Sequence, residues 1–383
     1  MSAIAEYRAW AEIDLEALAN NLRWIRHGVG AGCGVITVVK ADAYGHGLRQ
    51  IAGCLMQNGT DVLGVANLAE ASNVRAAGEG WPVLMLGACQ SEREFKTLCQ
   101  ANVAATVSSR EEILELARVA GRFRQRALVH LKIDTGMSRL GVAPGGALKL
   151  ATLIAEQPFL SFDGVYTHLS SSEEDALFTG DQLKRFSSCL ELFKSAGLVI
   201  PKIHALNSGG IAYETTRVGN HVRPGLLVYG ITPPGKRTET ADWLTRLRPV
   251  LALKSRISHI KTISCGSAVS YGQSAVCSRS TRLATVCIGY GDGILRSASR
   301  RMEVLIAGQR CPVVGVITMD QMMVDVSHLP MLQRGDEVVV IGAQGEDELL
   351  AGDLASAAGS IVWEILTSIT QRVPRIYRGI SVG

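Results

Sequence analysis

"GVITVVKADAYGHG", residues 34–47, decides how the rest of the chain is read. After Gly34, residues 35–39 are β-branched without interruption, the pattern of a strand buried on both faces rather than one wetted at alternate positions. The run finishes on Lys40, and small, aromatic and glycine residues follow. Strands buried on both faces belong to parallel sheets covered by helices, and a helical pattern precedes this one in "DLEALANNLRWI".

The same alternation recurs on either side, from about residue 12 to residue 230. "DVLGVAN", "WPVLMLG", "NVAATVS", "ALVHLKID", "FDGVYTH", "KIHALNS" and "HVRPGLLVYG" read as further strands, eight with the first. Helical patterns such as "EREFKTLCQ", "REEILELARVAG" and "QLKRFSSCLELFKSAG" lie between them. Eight strand-then-helix units predict an α/β fold with a (β/α)8 barrel, whose chemistry gathers at the C-terminal ends of the strands; a doubly wound open sheet is the rival architecture. Beyond about residue 245 the texture changes to closely spaced β runs, among them "LALKSRISHIKTI", "TRLATVCIGY" and "GDEVVVIG", then a helical pair in "AGDLASAAGSIVWEILTSI". The division is therefore a barrel over 1–245 and a mostly antiparallel β domain over 246–383, joined by "ITPPGKRTETADWLTRLRP".

Bulk properties narrow the function classes. The 383 residues carry a formal charge of +4 with no basic block, which argues against a nucleic-acid or membrane surface. Nine dispersed cysteines with no CxxC indicate neither a disulfide framework nor a zinc site. No apolar run approaches the roughly 18 residues needed to span a bilayer, and the N-terminus lacks a signal-peptide core. A reducing, cytoplasmic setting is the expectation.

Polar residues stand just beyond the strand runs: Lys40 and Tyr44 after the first, then Asp134, Arg139, His168, Asn207, Ser208, Arg223 and Gly225 after later ones. Each has an ordinary reading, a solvated rim lysine at Lys40 or a turn at "LKIDTG" and "RPG". A desolvated lysine, however, loses basicity and serves as a nucleophile or Schiff-base partner. Lys132, inside a strand run, needs a partner or must lose its charge. "ALNSGG" and "RPGLLVYG" are loops able to hold a phosphate, and barrel phosphate sites lie beyond the last strands. A carbonyl cofactor on Lys40, a phosphate held by the late loops and an arginine against the ring together describe pyridoxal phosphate chemistry.

The ordered set "AWAEIDLEALANNL", "VVKADAYGHG", "LKIDTGMSRLG", "GVYTHL", "HALNSGG", "VRPGLLVYGI", "VSYGQS", "IGYGDGILR" and "CPVVGVITMDQMMVDV" resembles the bacterial alanine racemases over nearly the whole chain. The resemblance implies a barrel followed by a β domain, bound pyridoxal 5'-phosphate, and a homodimer whose active sites borrow residues from the partner's C-terminal domain. By position, Lys40 holds the cofactor and acts as one base, and Tyr271 is the second base, acting across the dimer. Two bases answer the need to remove a proton from one face and return one to the other. Arg223 contacts the ring nitrogen and His168 packs near the ring. Tyr44, Asn207, Ser208, Gly225 and Leu226 serve the cofactor and its phosphate, and Arg139 the substrate carboxylate. Lys132 matches a lysine that many members carry as a carbamate. Met319 and Asp320 match a pocket-closing segment, while Tyr290 and Arg296 match the entry channel.

The chain departs from the family pattern at "GVITMDQ", where Val316 replaces a gate arginine and Thr318 a small residue. It departs again at Gln371, where many members have tyrosine, which predicts more tolerance of serine. The expectation is alanine racemisation supplying D-alanine for peptidoglycan. The alternatives are a serine or broad-specificity racemase, a barrel-fold decarboxylase, or a protein that only binds the cofactor.

Overall fold

The computed structural model describes residues 6–214, 216–237 and 240–379. The described residues form two compact units: one holds Ala17–Ala43 and Leu48–Arg248, the other residues 6–16, Tyr44–Gly47 and residues 249–379. The domain division read from sequence falls near the Arg248/Pro249 boundary. Strand β1 (Ala9–Asp14), which that division put in the barrel, instead pairs antiparallel with β10 (Leu251–Ile263). Its six residues bury Ala9, Trp10, Ala11 and Ile13 and leave Glu12 and Asp14 half-buried, a cue weaker than the helical pattern that follows it.

The barrel is closed and parallel, and its eight strands are the eight runs read from the sequence. They are β2 (Gly34–Val38), β3 (Val62–Val65), β4 (Val83–Ala88), β5 (Ala104–Val107), β6 (Ala127–Lys132), β7 (Leu160–Tyr166), β8 (Lys202–His204) and β9 (His221–Val222). β9 returns to β2, with Gly34 opposite His221, so the sheet has no edge. Outer helices start where side chains cap them: Asn67, Ser91, Ser109 and Asp175 each accept a first-turn N–H. Ser109 and Glu112 complete a capping box, and losing such a cap costs about 1 kcal/mol.

The barrel interior is chemically divided. Ile36, Val62, Leu84 and Ala104 form an apolar cluster contributed by β2 to β5. β6 to β8 bury His130, Lys132, Tyr166 and His204. Aliphatic residues usually fill such a barrel, so this polar half is reserved for another purpose.

Past β2 the backbone makes a left-handed turn, with Ala41, Asp42, Ala43 and Tyr44 at φ of 52 to 54°. This conformation costs non-glycine residues roughly 1 to 2 kcal/mol each, so something must hold it. Glu70 accepts from Ala41 N at 2.8 Å, and Asp42 accepts from Leu48 N at 2.8 Å. Gly45 (φ 79°) and Gly47 (φ 94°) follow where a Cβ would collide with the Leu366 carbonyl and the Tyr377 hydroxyl respectively.

In the second unit, β10, β13 (Thr281–Val286), β16 (Met322–Asp325), β15 (Gln309–Val314), β14 (Glu303–Ile306) and β17 (Glu337–Gln344) pair antiparallel in that order. β17 pairs back onto β10, closing a ring. β11 (Ala268–Val269) and β12 (Ala275–Val276) form a small ribbon. β18 (Asp347–Leu349) extends the sheet beyond β17, while β19 (Arg375–Arg378) lies parallel to β1. The helical pair read near the end is Ala351–Ala358 and Val362–Ser368. Residues 238 and 239 of the expected linker lie outside the described residues, and Asp242–Arg246 within it forms a 3-10 turn. No helix among the described residues is long and apolar enough to cross a membrane.

Candidate active site

The barrel gathers its strand-end residues as the alternation predicts. Lys40 directly follows β2, Lys132 ends β6, His168 follows β7, Asn207 and Ser208 follow β8, and Arg223, Gly225 and Leu226 follow β9. Burial lowers the basicity of Lys40, and the charge of Arg139 adds to the effect, against Glu70. Lys132 is buried, and its pKa is brought down to about 8, by burial first and then by Arg139 and Arg223. His168 is held well below its usual range by burial and then by Arg223, Lys132, Arg139 and Lys40. Four cations around one neutral imidazole favour an anion at this end of the barrel.

Arg223 is the best-anchored of these groups. Its Nη1 donates to His204 Nδ1 at 2.8 Å and to the His204 carbonyl at 2.9 Å. Its Nη2 donates to the carbonyls of Thr167 at 2.7 Å and Ala205 at 2.8 Å. Those bonds engage all the terminal N–H groups, leaving only Nε–H without an acceptor among the described residues. A guanidinium reduced to one free donor fits a ligand presenting a single acceptor nitrogen, as a pyridine ring does. Burial also takes the pKa of Arg223 down to about 10, so it stays protonated at neutral pH.

The late loops are tied to each other. Ser208 Oγ accepts from Gly225 N at 2.8 Å, and Asn207 Oδ1 accepts from Gly210 N and Ser172 Oγ, both at 2.9 Å. Asn207 Nδ2 donates to the Leu169 carbonyl. These side chains shape the loops that the sequence marked as a phosphate cradle. Asp134 does similar work after β6: its Oδ1 accepts from the backbone N–H of Gly136, Met137 and Ser138, building the turn that carries exposed Arg139.

The remaining candidates lie in the other unit. Tyr44 is buried and its phenol is pushed up by that burial. Tyr271 is 73% exposed in a turn held by Ser270 Oγ, which donates to the Val316 carbonyl at 2.7 Å. Tyr290 N and Gly291 N donate to the carbonyls of Thr318 and Met319, joining "IGYGDG" to "ITMDQ" and leaving the side chains of Tyr290 and Met319 exposed. Asp320 pairs with Arg372, which holds its carboxyl below the usual range. Arg296 and Val316 line an open cleft of about 640 Å³ with Arg300 and Arg301, and Gln371 is exposed.

Sequence reasoning missed Glu70, which holds both Ala41 N and Ala66 N, and the buried group His130, Tyr166 and His204. Tyr166 stacks on His204 at 4.7 Å, and the Lys132 ammonium lies 5.4 Å from the Tyr166 ring centre. A signal existed for part of this: in "ALVHLK", His130 and Lys132 stand two apart and so share a face.

The fold defines a class, proteins with a closed parallel barrel that carries a lysine at the end of its first strand and with a mostly antiparallel β unit besides. Two family models match, Alanine racemase, N-terminal domain over residues 13–233 and Alanine racemase, C-terminal domain over 250–377. The chain therefore belongs to the alanine racemase family. It is 38% identical over 372 residues to the alanine racemase of a Nostoc species, covering 96% of this chain and 95% of that one. It is 36% identical to the alanine racemase of Halothermothrix orenii, with 96% of each covered. Among solved structures, the alanine racemase of Streptomyces coelicolor matches with a TM-score of 0.91 at 34% identity, over 98% of this chain and 99% of that one. The Bacillus anthracis alanine racemase with bound L-Ala-P matches at 0.88 and 32%, over 97% and 95%.

Proposed function

We propose that this racemase interconverts L- and D-alanine in the cytoplasm, supplying D-alanine for peptidoglycan, with pyridoxal 5'-phosphate held on Lys40. The observation that carries the reading is the Arg223 anchorage, which leaves Nε–H for the pyridine nitrogen of that cofactor. When bound, the cofactor supplies a conjugated ring that accepts the electron pair released as the substrate's α-proton leaves. An arginine there would share its proton without giving it up, which would moderate this electron withdrawal and favour prompt return of a proton.

The protein's own groups do the rest. Lys40, made less basic by burial and Arg139, takes or returns the proton on one face. Tyr271 of a second copy serves the other face, and the exposure of this side chain on a tied turn suits a role across a homodimer. Arg139, with Met319 N–H from the second copy, receives the substrate carboxylate, and Ser208, Gly225 and Leu226 receive the phosphate. Lys132 is carried as a carbamate: near three other cations, an anion is the more stable occupant of its site, and a pKa of about 8 leaves enough free amine at neutral pH to capture CO2.

Chiral chromatography of L-alanine and L-serine incubated with the protein tests the reading, with Lys40→Ala as control. D-alanine formed only by the parent chain supports it, and D-alanine from neither sinks it. Co-expressing Lys40→Ala with Tyr271→Phe tests the shared site. Each mixed dimer then keeps one intact site, so activity returns to about a quarter of the parent level from two inactive variants.

A further inference from the structure

The anchorage of Arg223 continues across the barrel. His204 accepts from Arg223 at Nδ1, so this neutral imidazole carries its proton on Nε2. His204 Nε2 lies 2.9 Å from His130 Nδ1, which must then accept, placing the proton of His130 on its own Nε2. That nitrogen is 3.0 Å from Asp163 Oδ2, and the other oxygen of Asp163 accepts from Lys202 Nζ at 2.6 Å. Every bond in the chain therefore points from Arg223 toward Asp163. Gly164 makes room for it, since a Cβ there would enter the His130 ring. The Asp163 end opens on a cavity of about 220 Å³ lined by Trp81, Leu84, Leu128, His130 and Lys202.

We propose that Asp163 is a positioning residue for Arg223. Held by Lys202 on one oxygen, its carboxylate fixes the direction of the His130–His204 chain, so that His204 offers Arg223 a lone pair and the guanidinium keeps Nε–H for the cofactor nitrogen. Were the chain reversed, His204 would present Nδ1–H to the Arg223 N–H, donor against donor, and a buried guanidinium would lose its partner. Asp163 remains an acceptor because it remains ionised. Burial opposes its charge, but the bonds from His130 and Lys202 outweigh burial and hold its pKa at about 2. The proposal rests on the racemase reading for its consequence in catalysis, though not for the direction of the chain.

Asp163→Asn separates the roles. Its single carbonyl oxygen goes to the charged Lys202, turning the amide NH2 toward His130 Nε2 and forcing that nitrogen to accept. Adding Lys202→Met frees the amide oxygen for His130 again. NMR of isotope-labelled histidine in the holoenzyme reads the tautomers directly, and alanine racemisation is measured alongside. In the parent enzyme His130 and His204 should both be neutral with Nε2–H. In Asp163→Asn both protons move to Nδ1, and kcat falls about 10- to 100-fold with KM changed less than about threefold. Asp163→Asn/Lys202→Met returns the Nε2–H tautomers and brings kcat to within about threefold of the parent.

A parent His204 protonated on Nδ1 overturns the proposal, as does an Asp163→Asn enzyme with parental tautomers and kcat. If Asp163→Asn does not fold, the double variant decides, because lost kcat with intact tautomers is equally fatal. A parent protein with the expected tautomers and no alanine turnover would sink the racemase reading and leave the direction of the chain standing.

Discussion

Lys132 shows how one residue carries a problem and its solution. An ammonium buried beside Arg139 and Arg223 is unfavourable, and its pKa of about 8 states the cost. Conversion to the proposed carbamate would replace cation–cation repulsion by attraction. Mass spectrometry of the intact protein under native conditions should show the increment of one CO2, lost in Lys132→Ala. Racemisation by Lys132→Ala should recover in part with added chloride or acetate, small anions able to take the carbamate's place. Gln371 is the second residue-scale case. It is exposed and precedes Arg372, which pairs with Asp320. Gln371→Tyr should lower the serine-to-alanine ratio of kcat/KM, within the about 1 to 3 kcal/mol by which one small group discriminates substrates. An unchanged ratio would show that Gln371 does not bear on the pocket.

At the scale of elements, the decisive one is the left-handed turn after β2. A strand, a tight turn and a helix are all legible in "GVITVVKADAYGHGLRQIAGCLMQ", but "KADAY" has ordinary helix-forming residues and nothing in it signals a positive φ. The conformation comes from Glu70, an acceptor placed only once the barrel has closed, from Asp42, which accepts from Leu48 N six residues on, and from the space left by Gly45 and Gly47. Gly45→Ala should therefore destabilise by more than about 2 kcal/mol, summing the left-handed penalty and the collision with Leu366. Ala41→Gly, at an exposed position with φ of 52°, should be neutral or stabilise by up to about 1 kcal/mol. Denaturant unfolding of the two variants checks both signs.

For the molecule as a whole, the polar half of the barrel sets the pH dependence of stability. His130, His168 and His204 are all held below the ordinary histidine pKa, by burial first. Below about pH 6.5 the unfolded chain binds protons that the folded barrel refuses, so stability falls as pH drops from about 7 to 5. Asp163 contributes on the acid side: its stabilisation is present above the unfolded carboxylate pKa of about 3.9 and is lost as pH falls toward about 2. His204→Asn should flatten the slope between pH 5 and 6 by up to about 1.4 kcal/mol per pH unit, measured by denaturant unfolding.

Residue order alone was enough to locate the eight barrel strands, the change to an antiparallel unit, Lys40, His168, Ser208 and Arg223 beyond strand ends, and Lys132 inside a strand run. Periodicity and strand parity are local properties, readable one segment at a time. Folding was needed to take β1 out of the barrel to β10, to wind four residues after Lys40 left-handed, and to line up His204, His130 and Asp163 behind Arg223. Those outcomes depend on partners tens to hundreds of residues away: His130 meets Asp163 and His204 through the pairing of β6, β7 and β8, and Ser255 reaches Arg8 from β10. A hydrogen bond's direction is fixed by the donors and acceptors that face each other, and the chain closes those encounters only when it folds.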